Sequence, residues 1–141
     1  MQHMHSHFLP DNGQVCEAGA TMSAGTVVSL SGGKVVPCTW SASEGGGLAP
    51  FGVLFWDVDE GEAARVTRNG IVQVLLAPGE SVAAGDLAQA DGQYAAAYGG
   101  TPADTVYHLG TVTTGSEAHA SDVFVRCTID LNIRPSDVGG N

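Results

Sequence analysis

Between residues 123 and 131 the chain alternates. Val123, Val125, Cys127, Ile129 and Leu131 fall on one side, and Phe124, Arg126, Thr128 and Asp130 on the other. A period of two is that of a half-buried strand, here with the odd positions inward. Elsewhere short apolar runs end at turn residues: Gly32-Gly33, Gly45-Gly46-Gly47, Asp59-Glu60-Gly61, Asn69-Gly70, Asp91-Gly92 and Gly99-Gly100. Such spacing is expected of sandwiches and barrels. Strands over 26–30 and 34–39 flank Gly32-Gly33, and strands over 87–90 and 93–97 flank Asp91-Gly92, each pair predicting a hairpin. Strands over 64–68 and 71–76 flank Asn69-Gly70. Asn-Gly tolerates positive φ at both central turn positions, so this is the strongest local hairpin signal. The dense apolar run Phe51 to Asp57 predicts a strand buried on both faces. Strands over 107–113 and 123–131 close the domain. No glycine-free window of helix length carries an apolar stripe at i, i+3, i+4. The best helical prospect is a turn or two from Pro102 to Tyr107, with Thr101 as cap.

An internal repeat organises these pieces. The segment 19–32 aligns without gaps on 79–92: Gly19 on Gly79, Ala24-Gly25 on Ala84-Gly85, and Gly32 on Gly92. A looser second match puts Phe51-Gly52-Val53 on Leu109-Gly110-Thr111. Two related β units packed together follow, neither able to bury its apolar face alone. The fold class is therefore all-β: a compact β-barrel or β-sandwich over residues 15–131. Extended tails at 1–14 and 132–141 flank it, because neither end has stable periodicity.

Composition narrows the function. Of 141 residues, 43% are hydrophobic and 14% charged, and fifteen acids against five bases leave a net charge of −10. So few cations argue against a nucleic-acid backbone and against an anionic membrane surface. No apolar run approaches the ~20 residues of a membrane span, and no basic region followed by an apolar stretch marks a secretory signal. A soluble acidic domain made in a reducing cytoplasm is expected. Cys16, Cys38 and Cys127 are odd in number and lack CxxC spacing, which fits buried free thiols better than disulfides or a metal site.

Candidate chemistry is thin. His3, His5 and His7 alternate, so a strand would align three imidazoles, a set able to bind zinc or nickel. An extended arm contacting another protein is the stronger reading, and no metal or other cofactor is assigned. Asp57, Asp59, Glu60 and Glu62 invite a calcium loop, but the EF-hand pattern needs a ligand where Gly61 stands and a glutamate where Arg68 stands. GxSxG, HExxH and P-loop patterns are absent, so no catalytic residue is named and the protein is not read as an enzyme. The stretch Ala77 to Leu87 looks like the paired turns of biotinyl and lipoyl carriers. The only lysine, Lys34, lacks the flanking residues such carriers need.

The order of motifs has a counterpart. A Gly-x-x-x-x-Ala-Gly segment with a glycine hairpin leads to Phe51-Gly52-Val53 and a valine strand with Asn69-Gly70. A second Pro78-Gly79 segment with Gly85-Asp86-Leu87 follows, then Leu109-Gly110-Thr111-Val112 and the strand from Val123. This resembles the small head decoration, or cement, proteins of tailed bacteriophages across about residues 15–131. The resemblance implies a β-rich structural virion protein, commonly trimeric, that binds the major capsid protein on the outer face of the head and stabilises the shell. By position alone it implies that the N-terminal arm, with His3, Met4, His5, His7, Phe8 and Leu9, contacts the capsid. The alternatives are another β-structural virion module, from a tail or fibre, and a cellular carrier or ligand-binding β-barrel.

Overall fold

A computed structural model describes residues 13–41, 47–98, 106–117 and 125–136. Ten strands lie among them, and no helix. The first five are β1 (Gly13–Ala18), β2 (Val27–Ser31), β3 (Lys34–Pro37), β4 (Gly52–Leu54) and β5 (Ala63–Thr67). They close into a barrel in the order β1-β3-β2-β4-β5, with β1 parallel to β3 and antiparallel to β5. The next five are β6 (Asn69–Leu75), β7 (Leu87–Asp91), β8 (Tyr94–Ala97), β9 (Val106–Glu117) and β10 (Arg126–Ser136). They form a sheet ordered β6-β10-β9-β7-β8, whose outer strands meet at a parallel bridge between Leu76 and Ala95.

The second set repeats the first. β2 and β3 map onto β7 and β8 at an offset of 60 residues (27 to 87, 34 to 94), the offset visible in the sequence. The pairing Val28 with Gly52 recurs as Ala88 with Gly110, and Leu54 with Val66 recurs as Val112 with Ile129. Val15 opposite Arg65 recurs as Gln73 opposite Thr128. Turn contacts repeat as well. Gly25 at φ 91° donates its N–H to the Leu54 carbonyl at 2.8 Å, and Gly85 at φ 95° donates to Val112 at 2.8 Å. An L side chain is strained at such φ, which explains Ala-Gly in both copies. All five strands thus have counterparts, and the repeat extends well beyond 19–32 and 79–92.

The two units share a core. One buried cluster lies within the first barrel: Ala18, Met22, Val28, Val35, Leu54, Val58, Ala64 and Val66. The larger one joins Val27, Cys38 and Val53 of the first unit to Val72, Val74, Leu109, Ile129, Leu131 and others of the second. Backbone hydrogen bonds cross the junction: Val27 N–H to Gln93 O at 2.9 Å, Leu75 N–H to Gly25 O at 2.9 Å, and Gly92 N–H to Trp40 O at 2.7 Å. Cys127, Ile129 and Leu131 are buried as the alternation requires. The hairpins at Gly32-Gly33 and Gly92 form, with Ser31 paired to Lys34 and Asp91 to Tyr94.

Four expectations are corrected. Asn69-Gly70 is not a hairpin turn: β5 pairs with β1 and β4, and β6 with β10. Only Gly70 has positive φ, at 94°, whereas the tight turn needs it at both positions. The dipeptide instead starts β6 as the chain crosses between units. The run from Phe51 is buried only through Leu54; Phe55 and Trp56 are exposed. Val106 and Tyr107 are strand, not helix, and 102–105 lie outside the described residues. Finally, β10 runs on to Ser136, so residues 132–136 are strand rather than tail.

Candidate interaction surface

The arm residues His3, Met4, His5, His7, Phe8 and Leu9 lie outside the described residues. β1 begins at Gly13, one residue short of the expected end of the arm.

The groups weighed for chemistry have structural work. Asp57 Oδ1 accepts the Ala24 N–H at 2.8 Å, and Glu62 Oε1 accepts the Asp59 N–H at 3.0 Å. The acidic stretch is therefore a turn held by its own carboxylates, as Asp side chains do where backbone donors would otherwise go unpaired. It borders a cleft of about 460 Å³ at the junction of the units, with Leu75, Gln93 and Tyr94 opposite. Lys34 sits beside the β2–β3 turn with its Nζ 3.5 Å from Glu17. The three cysteines are free. Burial pushes all three thiols up, Cys127 to about 11, which makes the nucleophilic thiolate scarce at neutral pH. His108 on β9 is buried, its ring 4.7 Å from that of Tyr98. Burial, aided by the charge of Arg134, pushes its pKa down.

What remains is a surface. Large apolar side chains are exposed at Val15 (50%), Phe55 (51%) and Trp56 (44%). They belong together. Val15 on β1 is directly opposite Arg65 on β5, and Phe55, just past β4, donates its N–H to the Arg65 carbonyl at 2.8 Å. Side chains opposite one another on paired strands share a face, so Val15, Arg65 and Phe55 form a row across the outside of the first barrel. The Arg65 guanidinium lies 4.9 Å from the Phe55 ring centre, a cation–π contact. Trp56 stands beside Phe55, ring centres 6.2 Å apart, and its indole N–H reaches the Ala63 carbonyl at 3.4 Å. Arg65 Nε is buried without a hydrogen-bond partner among the described residues. A second stack lies nearer the junction, where Arg68 covers the Phe51 ring at 3.9 Å. It borders a cleft of about 490 Å³ with Tyr107, Asn132 and Pro135. All four arginines lie on β5 or β10 or one residue beyond.

No family model and no curated protein matches this chain. A solved structure does. The N base of the head fibre protein gp8.5 of bacteriophage phi29 superposes with a TM-score of 0.52 at 17% identity. The match covers 85% of this chain and 97% of that one. The two chains share a fold. At that identity the likeness concerns architecture, and it transfers no residue.

The sequence reading missed the Val15–Arg65–Phe55 row. An unbroken apolar run from Phe51 to Trp56 has no alternation to mark where burial ends. The available signal was the repeat: Phe55-Trp56 falls where the second unit has Thr113-Thr114.

Proposed function

We propose that this chain is a structural protein of a tailed-phage virion, which attaches to the outer face of the head and stabilises the shell. The observation that supports it best is the fold shared with nearly the whole of the phi29 head-fibre base. The motif order, read independently from the sequence, leads to the same class of protein. The acidic charge suits the outside of a DNA-filled shell better than its lining. In this reading the partner is the major capsid protein, the protein acts as a homotrimer, and it assigns no reaction. Residues 1–12 serve as an arm that orders on the coat protein. Three weak arms on one trimer hold by multivalency, and binding the assembled shell stabilises it by linkage.

Cosedimentation tests the proposal. Purified protein is mixed with heads assembled from the major capsid protein encoded in the same genome. Saturable binding and a higher disruption temperature of the heads are expected; protein that stays in the supernatant at micromolar concentration refutes the proposal. Removing residues 1–12 weakens binding if the arm is an anchor. A second reading, the base of a head fibre, is favoured by the name of the structural neighbour. Electron micrographs separate the two: compact knobs on the heads mean decoration, and projecting filaments mean a fibre base.

A further inference from the structure

The second unit is an internal control for the surface of the first. Val15 and Arg65 correspond by strand register to Gln73 and Thr128 in the second unit, and Phe55 corresponds by its offset from Leu54 to Thr113, where a bulge places Thr114 opposite Thr128. Exposure matches position by position: Val15 and Gln73 are exposed, Arg65 and Thr128 half-buried, and Phe55 and Thr113 exposed. Trp56 likewise corresponds to Thr114, both exposed. The same backbone face therefore exists twice in one chain: these four positions are polar in one copy, where the exposed apolar residue is Ile71 two places from Gln73, and apolar with a cation in the other. The fold does not require the apolar version, since Gln, Thr and Thr fill these places in the second unit. Exposed aromatic groups beside an arginine are what protein interfaces concentrate at their centres.

We infer that the Val15–Arg65–Phe55–Trp56 face is the docking face for a protein surface that presents a carboxylate among apolar side chains. The proposal rests on the head-attachment reading, and it names the coat protein as the source of that surface. Charge complementarity selects the occupant. Among the described residues Arg65 has no ion pair, and its guanidinium is already oriented by the Phe55 ring. An arriving carboxylate meets a pre-positioned donor fork, the geometry that favours arginine over lysine. With fifteen acids against five bases, most of this protein repels an acidic surface, so an approach through Arg65 is oriented as well as attractive. Val15, Phe55 and Trp56 then exclude water around the pair.

The test transplants the second unit's residues into the first. The variant Val15→Gln, Phe55→Thr, Arg65→Thr carries side chains that the same backbone face already accepts, and circular dichroism and melting temperature check that it folds. Arg65→Glu is made separately, so that the charge is tested without loss of apolar area. Leu30→Gln, at an exposed apolar residue on β2, is the control. Binding is measured by cosedimentation with heads assembled from the coat protein of the same genome. The expected result is at least tenfold weaker binding for the triple variant and for Arg65→Glu, with Leu30→Gln unchanged. Head binding equal to wild type in the folded triple variant overturns the proposal. That holds also if the variant has lost self-association, which would make the face a contact between copies. A control as weak as the triple variant overturns it too. Wild-type protein that leaves heads bare overturns the head-attachment reading and this one with it, and that failure is read from the wild type alone.

Discussion

Gly110 is the position at which one added carbon does most damage. It sits in β9, paired to Ala88 on one side and Leu131 on the other. A Cβ there would fall on the Asp130 carbonyl oxygen, with the carbonyl carbon at 3.0 Å and the Asn132 nitrogen at 3.3 Å. Its φ is +147°, where L side chains are strained. Both neighbours are backbone of a paired strand, so relief requires β10 to shift. Overpacking costs about 1–3 kcal/mol and the strained φ another ~1–3 kcal/mol, giving roughly 2–6 kcal/mol for Gly110→Ala. Gly52, its counterpart in the first unit, would meet the Thr67 carbonyl oxygen at 2.6 Å but has no positive φ, so the steric cost alone applies. Gly32 has φ +62° and nothing within 4 Å of an added Cβ, leaving only the left-handed penalty of about 1–2 kcal/mol. Each kcal/mol lowers the Tm of a domain this size by about 4 °C. Thermal unfolding of the three alanine variants should rank Gly110 lowest, then Gly52, then Gly32, with Gly110→Ala down by roughly 8–24 °C. If Gly110→Ala melts no lower than Gly32→Ala, the reasoning from close backbone approach is wrong.

Further outcomes follow from the junction and the core. Arg126 Nη1 donates to the Ala24 carbonyl at 2.9 Å, across the two units; Arg126→Met should lower stability by about 1.5–3 kcal/mol in urea titration, as expected for a charged hydrogen bond. Cys127, with its pKa raised to about 11, should resist iodoacetamide at pH 8 in native protein while half-buried Cys16 is labelled first; peptide mass mapping reads the order, and equal labelling of both would contradict it. Because the larger core and several backbone hydrogen bonds span both units, urea should unfold them in one transition. A Trp56→Phe variant, which leaves Trp40 near the junction as the fluorescent probe, should give the same midpoint by fluorescence and by circular dichroism.

Much of this architecture was legible because glycine and alternation carry local information. Gly25 and Gly85 occupy positive φ in the same turn of each unit, so the backbone requirement appears as a repeated letter. The correspondences of β1 with β6 and of β5 with β10 were not legible. Their strands share burial and register but almost no residue types, and strand pairing is blind to side-chain identity. Asn69-Gly70 misled because turn chemistry is local, whereas the choice between a turn and a crossover is made by distant partners. The strand over 132–136 was missed because its periodicity fades, yet it also has to accommodate Pro135. Proline is excluded from strands only where its N–H is needed. β6 has ended by then, its last pairing being Asn69 with Asn132, and Pro135 pairs on the β9 side alone, with Tyr107.

The duplicated unit also constrains how another protein makes contact. A free strand edge offers unpaired backbone groups to any passing chain. The first barrel is closed and has no edge. In the second unit the two outer strands meet: Leu76 bridges Ala95, and the Ala77 N–H donates to the Ala95 carbonyl at 2.9 Å. At this end the backbone of both outer strands is already engaged and is not open to strand addition. In the proposed role this matters, since edge pairing between copies would compete with attachment. Recognition then falls to side chains on closed faces. On such a face the fold sets the position of each residue without choosing its chemistry, so Val15, Arg65 and Phe55 can differ from Gln73, Thr128 and Thr113 at little cost to the barrel.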